Sequence, residues 1–172
     1  SVYLSPWLVE QYHFDTLERG LAYAVGAPAA LIASPLAGRL AAKRGAVPII
    51  VIANAVVLTV MLLVSFAPRL AYLFPTYPWI PLVVLLFISL AGSAARSSVL
   101  ETLAVEAVGA ELRGSLAAVR TLFMHSGSAL GAAVGAVIWA ATEHSLFAEC
   151  VLAAAATALG AGVLVVLSRE KR

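Results

Sequence analysis

Charge is what this sequence has least of. Asp, Glu, Lys and Arg make up 12% of its 172 residues, against about 25% in ordinary soluble domains. With 62% hydrophobic residues and a mean hydropathy of +0.99, the chain lacks the polar coat of a soluble fold, which leaves an integral membrane protein. Cysteine occurs once, at Cys150, so no internal disulfide can form, and no Cys/His spacing suits a metal. The net charge of +2, without a basic-aromatic patch, gives nucleic acid nothing to grip. No serine-nucleophile motif, paired aspartates or His-Glu cluster is present, so neither an enzyme nor a cofactor is expected. The first residue is Ser1 and no basic segment leads an apolar core. A signal peptide is therefore not expected, and the start reads as a boundary inside a helix.

What the chain does have is long apolar runs. Leu21–Ala37 and Ala46–Ala67 would rise about 26 and 33 Å as helices, close to the ~30 Å of bilayer hydrocarbon. Between them lies Gly38-Arg39-Leu40-Ala41-Ala42-Lys43-Arg44-Gly45, read as a short basic turn with its cations facing the cytoplasm. Gly38 and Gly45 are expected to bend the chain sharply, Gly45 as a left-handed helix cap. Arg39, Lys43 and Arg44 would anchor the turn among lipid phosphates.

The spans follow in order. Residues 1–12 read as part of a helix, with Tyr3, Trp7 and Tyr12 in an interfacial aromatic belt, and His13–Arg19 as a polar link. Residues 21–40 form the first complete span, kinked or unwound at Gly26, Pro28, Ser34 and Pro35, which should face helices or a cavity. Residues 46–67 form the second, with Asn54 inside it. Pro68–Pro81 is a proline-rich break whose Tyr72, Tyr77 and Trp79 mark the opposite interface. Spans at 80–105, 115–141 and 146–167 complete an all-α, polytopic bundle. Arg39, Lys43, Arg44, Arg96, Arg113, Arg120, Arg169, Lys171 and Arg172 fall on one side, and Arg19 and Arg69 on the other. That bias places the C-terminus in the cytoplasm.

Charges inside or at the edge of a membrane are the best pointers to function, because each costs about 2.5–3.5 kcal/mol at mid-depth unless paired or hydrated. Arg96, about 24 Å along its span, is a candidate for the solute or ion path, or an arginine snorkelling to headgroups. Glu101 and Glu106 stand about 140° apart on a helix. They are read as two separate salt bridges at the cytoplasmic mouth, with Arg113, Arg120, Arg39 and Arg44 as available partners. His125 is a candidate proton carrier, because histidine as a residue type titrates near neutral pH, or else a hydrogen-bonded link between helices. Asn54 and Tyr23 are candidates to line the cavity. Glu149 reads as an interfacial residue, with a proton site as the alternative. The stripe Gly127, Gly131 and Gly135 gives one helix a face for close packing and sliding.

This layout resembles one six-helix half of a major facilitator superfamily transporter. The turn Gly38-x-Leu40-Ala41-Ala42-Lys43-x-Gly45 is similar to that family's signature loop, with Ala42 where the family has Asp and Ala46-Val47 where it has a basic pair. Glu111-Leu112-Arg113-Gly114-Ser115 is similar to the entry of the fifth helix of a half. Gly127-x-x-x-Gly131-x-x-x-Gly135 resembles the glycine-rich helix of drug and sugar efflux members, with Ala132 and Ala136 in place of the antiporter Pro and Gly. The resemblance implies helices seven to twelve, the first truncated, packed against an N-terminal six-helix half. It implies a secondary transporter of a small solute by alternating access, efflux-type and proton-coupled, in the plasma (inner) membrane. Metabolite uptake by symport is the alternative within transport, and a non-transporting sensor or assembly scaffold the alternative outside it. A proton-driven transporter would keep its titrating carboxylate in the other half, since no aspartate lies within a span.

Overall fold

In lipid no water satisfies a stray N–H or C=O, so a chain of long apolar runs closes its hydrogen bonds within helices. The computed structural model describes residues 4–106, 108–142 and 146–170, and every regular element among them is helical. In order these are α1 (Leu4–Tyr12), α2 (Thr16–Ala24), α3 (Gly26–Arg44), α4 (Ala46–Val64), the single-turn α5 (Ala67–Leu70), α6 (Ile80–Glu106), α7 (Arg113–Ala141) and α8 (Leu146–Glu170), with 3-10 turns at Ala71–Leu73 and Ala110–Leu112. Four stretches are long and apolar enough to cross a membrane: Thr16–Arg44, Ala46–Val64, Ile80–Glu106 and Arg113–Ala141. In α8 the described apolar stretch is Phe147–Leu159.

Helix α2 begins five residues before the apolar run that signals it, and the cause is a capping box. The Asp15 carboxylate accepts the Glu18 N–H at 2.7 Å, and the Glu18 carboxylate accepts the Asp15 N–H at 2.9 Å, satisfying two end donors reciprocally. Arg19 donates to Thr16 Oγ1 and to Ser5 Oγ, both at 3.1 Å, tying α2 to α1. The acidic and basic residues between His13 and Arg19 therefore start a helix rather than form a link.

The expected kink lies at Val25. Pro28 has no N–H for the Ala24 carbonyl and its ring crowds that group, and the next bond, Ala29 N–H to Val25 O, is long at 3.4 Å. Gly26 faces α6, where an added Cβ would lie 3.0 Å from Leu90 Cδ1. Ser34 is half-buried, whereas Pro28 and Pro35 are exposed.

Gly38 is not part of the turn. Residues 38–44 continue α3, and the reversal into α4 takes the single residue Gly45, with φ 88° and ψ 152°. That is the extended positive-φ region open essentially to glycine alone, not the left-handed helical cap. Arg39, Lys43 and Arg44 are exposed around it.

Helix α6 lies between α3 and α4, and α4 also packs on α8. Two apolar clusters hold these helices. One gathers Trp7, Leu8, Val60, Val64, Leu82 and Trp139. The other, beside the Gly45 turn, gathers Ala37, Ile49, Ile50 and Val99. Lipid tails are as apolar as these side chains, so close packing rather than water exclusion binds them. Trp7, 5% exposed, is thus a core residue and not part of an aromatic belt, with Tyr12 edge-on to it at 5.7 Å. Tyr3 lies outside the described residues. Tyr72, Tyr77 and Trp79 are exposed at the end away from Gly45. Helix α7 is buried only at Gly135 and Trp139.

Gly45→Ala is expected to destabilise the protein by about 1–3 kcal/mol, the strain of a side chain in that backbone region. Gly38→Ala, with nothing within 4 Å of the added Cβ, should instead stabilise by up to about 1 kcal/mol through helix propensity. Unfolding midpoints in mild detergent distinguish the two, and equal shifts would contradict the single-residue turn.

Candidate functional site

Gly92 sets the geometry of the bundle's interior. On α6 it lies so close to α4 that an added Cβ would fall 2.9 Å from Val57 Cγ2 and 3.5 Å from the Ala53 carbonyl oxygen. One turn further along α6 is Arg96, and beside Ala53 is Asn54. The close approach brings them together: Arg96 NH1 donates to Asn54 Oδ1 at 3.2 Å. Asn54 is 5% exposed and Arg96 is half-buried.

The pair sits in the gap between the two apolar clusters. Asn54 is about 12 Å along α4 from its start at Ala46, and Arg96 about 15 Å from the end of α6 at Glu106. Arg96 reaches sideways to a neighbouring helix. The bond satisfies the Asn54 carbonyl oxygen and lowers, without cancelling, the cost of the guanidinium charge. An unsatisfied buried amide costs about 1–3 kcal/mol, and an unanswered arginine at the bilayer centre costs about 2.5–3.5 kcal/mol.

The other two path candidates stand elsewhere. Tyr23 is 43% exposed on α2. His125 is exposed on α7 and makes no hydrogen bond among the described residues, so it does not link helices.

At the end of the bundle that carries Gly45, Arg120 of α7 donates to Glu101 Oε1 of α6 at 2.5 Å, with side chains 39% and 52% exposed. This is one of the two bridges expected. Glu106, turned about 140° from Glu101 on the same helix, faces away from α7. It forms no ion pair with Arg39, Arg44 or Arg113 among the described residues, and all four are exposed.

The glycine stripe of α7 does not meet a helix at Gly127 or Gly131, where an added Cβ would have nothing within 4 Å. Instead Gly131 and Gly135 form one wall of a cavity of about 570 Å³ between α7, α8 and α4, whose other walls include Met61, Ser128, Glu149 and Cys150. Glu149, in the first turn of α8, is buried there, 8% exposed. Its position in the first turn of an apolar helix concealed this. The small residues on both facing helices, Gly131 and Gly135 against Ala153 and Ala156, read in the sequence as a close-packing face, but here they leave volume unfilled.

Comparison with known proteins gives one match. The family model described as Major Facilitator Superfamily matches residues 1–172. No curated protein and no solved structure matches.

A double-mutant cycle on Asn54→Ala and Arg96→Met should give a coupling of about 0.6–2 kcal/mol, the range of polar contacts between membrane helices. Zero coupling in thermal unfolding would mean the bond does not form in the membrane. Gly92→Leu should overpack the α4–α6 contact at a cost of about 1–3 kcal/mol and abolish that coupling.

Proposed function

The chain belongs to the major facilitator superfamily, whose members are membrane transporters and not enzymes, and on that premise we propose that it forms the C-terminal six-helix half of a secondary active transporter. It moves a small solute by alternating access against an N-terminal six-helix half, working as a proton-coupled exporter in the plasma (inner) membrane with its C-terminus in the cytoplasm. The observation that carries this reading is the Arg96–Asn54 pair. A guanidinium held at mid-depth between two helices is costly to keep in a membrane for packing alone, and it is the group a solute or ion crossing there would meet.

Two further features support the reading. The Glu101–Arg120 bridge joins α6 to α7 at the end assigned to the cytoplasm. Its exposed ends make it weak, worth about 0–1 kcal/mol in water, so it can open and close with the inner gate. The apolar faces of α3 and α7 are uncovered, with Leu31 77%, Leu122 65% and Phe123 72% exposed, as helices that pack on a partner half and on lipid would be. Export, rather than uptake, rests on the glycine-rich sequence of α7.

The test uses inverted vesicles containing the full-length transporter, an imposed proton gradient, and ethidium and a radiolabelled sugar as probes. Wild type should drive flux that a protonophore abolishes. Arg96→Ala should lower flux about tenfold or more, equivalent to about 1.4 kcal/mol, at normal membrane insertion. His125→Ala should lower proton-driven flux while sparing exchange at equal pH. Flux that survives the protonophore would refute proton coupling, and full flux in Arg96→Ala would remove that residue from the path. Vesicles holding only these 172 residues should carry no vectorial flux.

A further inference from the structure

We propose that Arg96 and the serines beside it on α6 form a binding site for a small organic anion with one carboxylate and several hydroxyl groups, a sugar acid by chemical class. The inference rests on the transporter reading above and names the solute which that reading leaves open. Charge comes first. Arg96 is half-buried in an apolar bundle, and its hydrogen bond goes to a neutral amide. Among the described residues it forms no ion pair, and the next carboxylate along α6, Glu101, is engaged by Arg120. A guanidinium is always charged, so a positive charge stands here with no anion to balance it. An anionic solute is drawn to that place and a cation is repelled from it.

Geometry then selects the anion. Nη1 is spent on Asn54 Oδ1 at 3.2 Å, which leaves the edge formed by Nε and Nη2 without a partner among the described residues. Those two N–H groups point the same way in one plane and match the two oxygens of a carboxylate. One carboxylate balances one guanidinium. A phosphate monoester would bring a second negative charge, and the serines offer no second cation to meet it.

The rest of the solute is read from the serines. Ser89, Ser93, Arg96 and Ser97 stand at i, i+4, i+7 and i+8, the spacing of one helix face, along about 12 Å of α6. All four are half-buried, with part of each surface open. A hydroxyl inside a membrane helix can be satisfied by its own backbone or by a neighbouring helix. Thr102, Thr121, Thr142 and Thr157 show the first solution, each donating to the carbonyl four residues back at 2.7–3.1 Å. Ser89, Ser93 and Ser97 use neither, since their hydroxyls make no hydrogen bond among the described residues. Each is both a donor and an acceptor, which is what the hydroxyl groups of a polyol require. An apolar solute would leave all three unanswered.

The experiment is equilibrium dialysis of radiolabelled glucuronate against the full-length protein in lipid nanodiscs, with empty nanodiscs as the blank. Glucose, glucosamine and glucose 6-phosphate serve as competitors of similar shape carrying no charge, a positive charge and a phosphate. Wild type should bind glucuronate saturably, and each competitor should displace it at least about tenfold less well than unlabelled glucuronate. Arg96→Lys keeps the charge but loses the planar edge, and should weaken the Kd about tenfold or more. Ser93→Ala, which removes a hydroxyl with no partner in the fold, should weaken it about three- to tenfold. Thr102→Ala, whose hydroxyl is spent on its own helix, should leave it unchanged.

Glucose or glucose 6-phosphate competing as well as glucuronate would overturn the assignment, as would binding unaltered in both Arg96→Lys and Ser93→Ala. So would no saturable binding by wild type, the result expected if an acidic side chain of the N-terminal half already held the guanidinium. Flux in the vesicle assay without glucuronate binding would sink this inference alone. Glucuronate binding with no flux of any solute would instead sink the transport reading.

Discussion

An arginine inside an apolar bundle has to be answered, and the rest of this structure is arranged so that Asn54 can do it. The guanidinium on α6 and the amide on α4 meet at 3.2 Å because Gly92 removes the side chain that would otherwise hold the two helices apart. Leu82 and Leu86 on one side, and Val99 on the other, fix α6 against its neighbours through two apolar clusters. They leave a short polar gap between. Close packing in lipid has no hydrophobic driving force behind it, so the fit at Gly92 and the hydrogen bond it permits carry more of the specificity than either would in a water-soluble core.

Helix α7 is the opposite case. It is the longest helix described and among the least buried, yet three distinct groups ride on it: Arg120 of the ion pair with Glu101, the exposed His125, and the glycine wall of the cavity. The first lies near its start and the last near its far end. Arg120 and the glycine wall therefore contact different neighbours, α6 at one end of α7 and α4 and α8 toward the other. Helices α3, α4 and α6, by contrast, pack along one another.

Much of the fold was legible in the sequence, because the long apolar runs and the proline-rich break at 68–81 are signals set by the bilayer itself. The helix starts at Ala46, Ile80 and Leu146 fall where those runs begin. The sequence misled where a local hydrogen bond or one backbone angle overrides composition. Asp15 and Glu18 look like loop charges until their reciprocal capping bonds make them a helix start. Gly38 resembles a turn glycine, but only Gly45 adopts a conformation that demands one. Trp7 has the composition of an interfacial residue, yet the packing of α1 on the core decides its burial.

The candidate sites divide along the same physical line. Arg96 and Asn54 were each conspicuous because a polar group inside an apolar run is costly wherever it points. That they bond to each other depends on the rotation and separation of α4 and α6, about which the 42 residues between them say nothing. Glu101 and Arg120 meet for a similar reason, while Glu106, of identical chemistry, misses because five residues of helix turn it away. Glu149 was the hardest to place, since a carboxylate in the first turn of an apolar helix is favoured there by the helix dipole whether or not it is buried. Only the splay of α7 from α4 and α8, which no periodicity encodes, encloses that carboxylate beside an unfilled volume.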